Sequence, residues 1–127
     1  MRIFVYGTLK RGGRLHPAIK DSIFSVTEGT TSGQLLNVGS FPGMITGDRK
    51  IKGELFEVDP EVLPTLDYIE GYQGPGKHNL YEREVVSVET ENGNVEAYCY
   101  KWGGGHGYPT VYEDEWDLKK WASRNSI

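Results

Sequence analysis

The sequence has few of the residues that stabilise secreted proteins and none of the segments that span membranes. A single cysteine among 127 residues excludes an internal disulfide and is compatible with a reducing compartment. No apolar run approaches the ~20 residues that a membrane-spanning helix needs. The segment MRIFVYG also lacks the long apolar stretch of a signal peptide. We therefore expect a cytoplasmic protein with no membrane partner.

Positive charge is also scarce. Fourteen Lys and Arg residues against 18 Asp and Glu residues give a formal net charge of −4, which argues against a nucleic-acid partner. The histidines, His16, His78 and His106, lack paired metal-ligand spacing. The glycine-rich stretches match neither a P-loop nor a dinucleotide-binding fingerprint. We therefore predict neither a metal nor a cofactor.

The abundant feature is alternation of apolar and polar residues, which is typical of β-strands. The predicted strands cover residues 2–8, 22–28, 33–38, 50–58, 81–89 and 95–102. Asn92-Gly93 suits a tight primed turn that joins the last two strands as a hairpin, and 17 glycines allow the sharp bends of a small barrel. We predict one α+β domain, residues 1–127, built as a closed or nearly closed mixed β-barrel of about six strands with flanking short helices.

One helix is predicted in DPEVLPTLDYIEGY. Pro60 and Pro64 suit first helical positions, Leu66 and Ile69 fall on one face, and Gly71 suits the helix end.

A second helix is predicted over residues 113–124, which begin with acidic residues and end with basic ones. Trp116 and Trp121 are placed in it to cover the sheet. The glycine-rich stretch 103–107 is interpreted as a flexible loop, with a lid over a site as the alternative.

Glu70 is the most informative ionisable residue. It lies one residue before Gly71, at the carboxyl end of the first predicted helix, where the helix dipole disfavours negative charge. We therefore expect a raised pKa, which suits a group that takes and returns a proton near neutral pH. The alternative is a solvated glutamate that ends a surface helix.

Cys99 alternates with Tyr98 and Tyr100 and so shares a strand face with Ala97. We interpret it as a packed core thiol, because a nucleophilic cysteine would need a nearby base that the sequence does not identify.

In the segment VYGTLKRGG, a predicted strand has a glycine, Gly7, at its end. A strand that ends in this way frees backbone N–H groups, which can then bind an anion. We interpret the neighbouring Lys10 and Arg11 as part of a solvated turn.

Five motifs occur together and in order: VYGTLKRGG, GQLLNVGSFPGM, IKGELFEVD, LDYIEG and LYEREVVSV. On these motifs, residues 1–102 resemble the γ-glutamylcyclotransferase-like superfamily, especially γ-glutamylamine cyclotransferase and the AIG2-like proteins. The resemblance implies a small closed β-barrel that acts on a small-molecule γ-glutamyl substrate. In that reaction the α-amine of the γ-glutamyl group attacks its own side-chain amide, forms 5-oxoproline and expels the attached amine.

The resemblance also implies roles for individual residues. The backbone of Tyr6, Gly7, Thr8 and Leu9 would bind the substrate. Glu70 would be the catalytic residue that deprotonates the α-ammonium group and then protonates the leaving amine.

Further residues fit this resemblance in more than one way. Tyr81 would either bind substrate through its hydroxyl or belong to the core, and Arg83 on the same strand face is better explained by a structural salt bridge. Residues 41–43 resemble the rim of the family's pocket, and the segment 71–80 is longer than in the amine-specific members.

Two alternatives to catalysis stay open at this point: a non-catalytic protein that binds a small acid, and an interaction protein on the same barrel. The segment YGTLKRG favours a γ-glutamyl amine over glutathione as substrate, and the oligomeric state is left open.

Overall fold

The structure, a computed structural model, describes residues 1–120. It contains six strands and one complete α-helix, the start of a second helix at Leu118, and three short 3₁₀ turns at His16–Ala18, Lys20–Ser22 and Pro60–Val62. The elements are β1 (Arg2–Val5), β2 (Ile23–Asn37), β3 (Pro42–Val58), α1 (Leu63–Glu70), β4 (Tyr81–Thr90), β5 (Gly93–Trp102) and β6 (Thr110–Val111).

Five of the strands close into a barrel. Their order is β3-β1-β5-β4-β2, and pairing between β2 and β3 completes the circle, while β6 lies outside against β2. The β1–β5 pair is parallel and the other pairs are antiparallel, so the sheet is mixed. The predicted small closed mixed barrel with short flanking helices is confirmed.

The strand bounds differ from the prediction most clearly in β2. The sequence suggested separate strands at 22–28 and 33–38, yet the intervening residues continue the ladder, with Gly29 opposite Gly53 and Ser32 opposite Lys50. Gly29 is not a turn residue: a Cβ there would lie 2.6 Å from Cγ1 of Val88. A glycine is needed at this position because the strands pack too closely for a side chain, and a single sequence does not show such packing.

The β4–β5 hairpin is confirmed, but its predicted turn is wrong. Thr90 pairs with Gly93, so the turn residues are Glu91 and Asn92. Gly93 has a φ of 111°, whereas no non-glycine residue among those described has a positive φ. The Asn92 N–H donates to the Thr90 hydroxyl at 3.1 Å, which stabilises the turn.

Helix α1 forms where it was predicted. Asp59 caps the preceding 3₁₀ turn by accepting a hydrogen bond from the Glu61 N–H at 3.0 Å. Leu66 is fully buried on its inner face. Gly71, in the left-handed conformation with φ 66° and ψ 38°, ends the helix directly after Glu70.

Two apolar clusters hold the fold together, and β1 contributes to both. Phe4 joins the cluster of the barrel interior, while Ile3 and Val5 join the cluster that contains Leu66 of α1. Cys99 is fully buried in the interior cluster, which confirms its interpretation as a core thiol. Because both faces of β1 are buried, the loop that follows it starts from a rigid strand.

The carboxyl-terminal segment differs from its prediction. Residues 113–117 are irregular, and helical structure begins only at Leu118. Asp117 accepts hydrogen bonds from the N–H groups of Lys119 and Lys120, both at 3.0 Å, as a helix N-cap does. Trp116 is buried as expected, whereas Trp121 lies outside the described residues.

Lys10 also departs from its interpretation as a solvated turn residue. It is 7% exposed, and its ammonium group donates to the Trp116 carbonyl at 2.8 Å. Burial lowers the pKa of Lys10. Along residues 1–120, no helix is long and apolar enough to span a membrane.

Candidate active site

A small cavity lies where β1 ends. Its volume is about 30 Å³, which is room for about one water molecule. It is lined by Phe4, Val5, Tyr6, Gly7, Thr8, Leu9, Pro42, Glu70, Tyr81 and Tyr100. All six residues to which the sequence assigned a binding or catalytic role therefore meet at one place, although the roles themselves stay predictions.

Carbonyl groups of the loop of residues 6–9 accept hydrogen bonds from nearby backbone N–H groups. The Gly7 carbonyl accepts from the Lys10 N–H at 3.0 Å, and the Thr8 carbonyl accepts from the Leu15 N–H at 3.0 Å. These bonds fix the orientation of the 7–8 and 8–9 peptide planes, and with them the N–H groups of Thr8 and Leu9.

His16 completes this arrangement. Its Nδ1 donates to the Leu9 carbonyl at 2.9 Å, a contact that no sequence pattern indicated. By contrast, the N–H groups of Gly7, Thr8 and Leu9 donate to no group within residues 1–120. Three consecutive backbone donors therefore lie at the cavity without a protein acceptor, and such donors suit an anionic oxygen.

Glu70 reaches the same cavity from the last position of α1. Burial raises its pKa to about 7, and among the described residues no cation forms an ion pair with its carboxylate. The direction of the shift agrees with the expectation from the sequence, but its cause is desolvation rather than the helix dipole. Glu70 is therefore half-buried rather than a fully solvated helix end.

Two tyrosine hydroxyls at the cavity are engaged with backbone groups. The Tyr6 hydroxyl donates to the Tyr100 carbonyl at 2.7 Å and accepts from the Met44 N–H at 3.1 Å. The Tyr81 hydroxyl donates to the Pro42 carbonyl at 2.7 Å. Burial raises the pKa of both phenols, so both stay protonated.

Gly7 allows the start of β3 to lie against the 6–9 loop. A Cβ at Gly7 would stand 2.6 Å from Cγ of Pro42. Pro42 therefore occupies the space beside this glycine. Phe41, the preceding residue, packs against the Tyr81 ring with a centroid distance of 6.5 Å.

Asp67 is the residue of this region that the sequence analysis missed. Its carboxylate accepts from the Arg83 guanidinium at 2.5 Å and from the Tyr100 hydroxyl at 2.6 Å. The favoured interpretation of Arg83 as a structural salt-bridge residue is therefore confirmed. The only signal in the sequence was that Asp67 lies three residues before Glu70, which places the two on neighbouring positions of a helix surface.

The segment 71–80 is organised around Asn79, which is 7% exposed. Its side chain accepts from the Gln73 N–H at 2.7 Å and donates to the Gly74 carbonyl at 2.9 Å. The Leu80 N–H closes the segment on the Gly71 carbonyl at 3.0 Å. These residues therefore form a hydrogen-bonded loop directly after Glu70.

Comparisons with known proteins agree with this geometry. Residues 3–120 match the family described as gamma-glutamyl cyclotransferase, AIG2-like. The chain therefore belongs to the AIG2-like γ-glutamyl cyclotransferases, a family of enzymes.

Individual relatives support the same placement. The chain is 30% identical to the gamma-L-glutamyl-butirosin B gamma-glutamyl cyclotransferase of Niallia circulans, over 88% of this chain and 73% of the relative. It is also 30% identical to the gamma-glutamylaminecyclotransferase of Rattus norvegicus, over 90% and 81% of the two chains. The crystal structure of an AIG2-like protein from Mus musculus superposes with a TM-score of 0.75 at 27% identity, covering 91% of this chain and 87% of that one.

Proposed function

We propose that this protein releases 5-oxoproline and a free amine from a γ-glutamyl substrate by intramolecular aminolysis. One observation carries the proposal: a carboxylate with a pKa raised to about 7 shares a cavity with three backbone N–H donors, and within residues 1–120 the carboxylate has no cationic partner and the donors have no acceptor. Glu70 is the acid–base group in this proposal, and the N–H groups of Gly7, Thr8 and Leu9 bind the substrate's oxygens.

The proton transfers follow from the chemistry of the substrate. Its α-amine arrives as an ammonium ion without a lone pair, so Glu70 first accepts a proton from it. The freed nitrogen then attacks the γ-carbonyl carbon and closes the five-membered ring. The bond to the attached amine breaks as Glu70 returns this proton to that amine. Glu70 then takes the second proton of the ring nitrogen and passes it to the released amine, which leaves as an ammonium ion. A carboxylate whose pKa lies near 7 can perform both transfers at neutral pH, and no covalent bond to the enzyme forms.

The donors of the 6–9 loop account for the charge that develops on the γ-carbonyl oxygen. Removing one well-placed donor of this kind from an enzyme costs about 3–4 kcal/mol in the transition state. The bonds to the Gly7 and Thr8 carbonyls fix the 7–8 and 8–9 peptide planes, so the N–H groups of Thr8 and Leu9 need no reorientation when substrate binds.

Substrate entry requires the cavity to open, because about 30 Å³ holds roughly one water molecule. Pro42 is the residue in the way, since it packs against Gly7. We expect Pro42 to move outward, and its hydrogen bond with the Tyr81 hydroxyl to break. That movement would release the hydroxyl to contact the substrate, as the predicted binding role of Tyr81 requires.

We further propose that the leaving group is a simple amine rather than the dipeptide part of glutathione. One relative is named for γ-L-glutamyl-butirosin B and another for γ-glutamylamines. The YGTLKRG segment favours the same class.

The test is to incubate the protein with γ-glutamyl-ε-lysine, γ-glutamyl-alanine and glutathione at equal concentration and to measure 5-oxoproline. Release from γ-glutamyl-ε-lysine and none from the Glu70→Gln variant is the expected result. A preference for glutathione would overturn the amine class and leave the cyclotransferase reaction standing. Tight binding of all three compounds without any 5-oxoproline would instead indicate a binding protein.

A further inference from the structure

Helix α1 carries Glu70 but has little apolar packing of its own. It is eight residues long, and Leu66 is its only fully buried residue. Ile69 adds only a partly buried contact with the same cluster, and a short helix held by so few apolar side chains can rotate or shift on the barrel surface. Some other contact must therefore fix where its last residue points.

Asp67 supplies such a contact one turn before Glu70. One carboxylate oxygen accepts from the Tyr100 hydroxyl at 2.6 Å, and the other accepts from the Arg83 guanidinium at 2.5 Å. Arg83 and Tyr100 are directly opposite each other in the β4–β5 ladder. Because both donors stand on one rigid strand pair, they hold the Asp67 side chain in two directions at once.

Tyr100 also contacts the other half of the site. Its carbonyl accepts from the Tyr6 hydroxyl at 2.7 Å, and its side chain lines the cavity. The same residue thus holds the helix that ends in Glu70 and the first residue of the 6–9 loop.

We propose that Asp67 and Tyr100 are positioning residues that set the place of the Glu70 carboxylate relative to the N–H groups of the 6–9 loop. This inference rests on the proposed function, since it concerns the same site. Neither residue needs to touch the substrate for this role. Misplacement of a catalytic group by about 1 Å can lower a rate by about a hundredfold.

The experiment compares Tyr100→Phe with Tyr68→Phe. The first variant removes the hydroxyl that binds Asp67 and keeps the ring and the carbonyl. The second removes a hydroxyl from α1 itself, at a side chain that is 88% exposed, and is the matched control. Each variant is examined by two measurements: titration of the Glu70 carboxyl by ¹³C NMR, assigned with Glu70→Gln, and steady-state kinetics with γ-glutamyl-ε-lysine.

In Tyr100→Phe we expect α1 to loosen and Glu70 to gain solvent. Its pKa then falls by about one unit, and kcat falls about tenfold or more while KM changes little. Tyr68→Phe should match the wild type in both measurements. Asp67→Asn, which keeps an acceptor for the Tyr100 hydroxyl and loses the charge that pairs with Arg83, should retain more kcat than Tyr100→Phe.

The two measurements separate failure of this inference from failure of the proposed function. A Glu70 titration in Tyr100→Phe that equals that of Tyr68→Phe overturns the positioning role, as does a shifted titration with unchanged kcat. If the titration shifts but the wild type releases no 5-oxoproline from any γ-glutamyl compound, Tyr100 positions Glu70 and the proposed reaction is wrong.

Discussion

The loop after β1 lines two very different concavities. Residues 6–9 line the cavity of about 30 Å³ that contains Glu70. The next residues, Lys10 and Arg11, line a groove of about 1130 Å³ on the side of Trp116. By volume alone, the groove would be chosen as the functional site. The pairing of the charged groups favours the cavity instead.

The charges that the loop contributes to the groove are all paired. Lys10 donates to the Trp116 carbonyl at 2.8 Å, and Arg11 binds Glu54 through its side chain at 2.9 Å and its N–H at 2.7 Å. In the cavity, Glu70 has no cationic partner among residues 1–120, and burial raises its pKa. Paired charges hold the loop in place, whereas an unpaired carboxylate beside free donors is available for chemistry.

The largest effect is expected from Glu70→Gln. The amide has nearly the same shape but cannot accept the ammonium proton, so turnover should fall by about 10²–10⁴-fold. The fold and the binding of a γ-glutamyl ligand should persist, as measured by circular dichroism and calorimetry. A variant that keeps more than about a hundredth of wild-type turnover would remove Glu70 from the acid–base role.

The raised pKa of Glu70 predicts a pH-dependent stability. The folded protein holds this proton up to about pH 7, whereas the unfolded chain releases it near the ordinary pKa of glutamate, about 4.3. The stabilising contribution is therefore complete below the unfolded pKa and is lost as the pH rises through 7. The free energy of unfolding of the wild type, relative to Glu70→Gln, should fall by about 3–4 kcal/mol between about pH 4 and 8.

Urea unfolding of both proteins at each pH measures this difference, because the other carboxylates cancel between the two. If the difference in unfolding free energy does not change with pH, Glu70 is solvated. The cavity and the groove would then not differ in the way described above.

Gly7→Val tests whether Pro42 occupies the space beside the 6–9 loop. The new Cβ would meet Cγ of Pro42 at 2.6 Å, so we expect a loss of about 1–3 kcal/mol of stability and weaker ligand binding by isothermal titration calorimetry. Gly105→Ala is the control, because a Cβ there has nothing within 4 Å. Binding as tight as that of the wild type would show that the loop tolerates side chains and that its backbone is not the binding surface.

Lys10→Met gives the smallest predicted effect and examines the groove. The methionine keeps most of the buried chain but cannot donate to the Trp116 carbonyl, so we expect a loss of about 1–2 kcal/mol of stability. Turnover under saturating substrate should match that of the wild type. If turnover fell as far as in Glu70→Gln, the groove would belong to the site and the comparison would fail.

Local sequence patterns were informative wherever local physics decides the structure. Pro60 and Pro64 began the helical region, Gly71 ended α1 in the left-handed conformation, and strand alternation placed Cys99 in the barrel interior. The motifs that contain residues 6–9 and Glu70 identified residues that line the same cavity. A single sequence does not, however, show that these residues are close in space.

Other features could not be predicted because they depend on atoms that are distant in sequence. Val88 explains why Gly29 lies within a strand rather than a turn. The partner of Lys10 lies 106 residues away, and that of Asp67 on β5 lies 33 residues away. No local propensity records such pairings, so the burial of Lys10 was missed and the role of Asp67 was invisible.

The sequence by itself determined the type of fold, the family and the identity of the acidic residue, because periodicity, helix ends and ordered motifs are local properties. Only the tertiary structure decided the state of that acid. Closure of the barrel brings α1 against the end of β1 and removes water from Glu70, and this desolvation raises its pKa to about 7. Desolvation depends on every chain segment that surrounds a group, and for this reason it emerges only when the chain is folded.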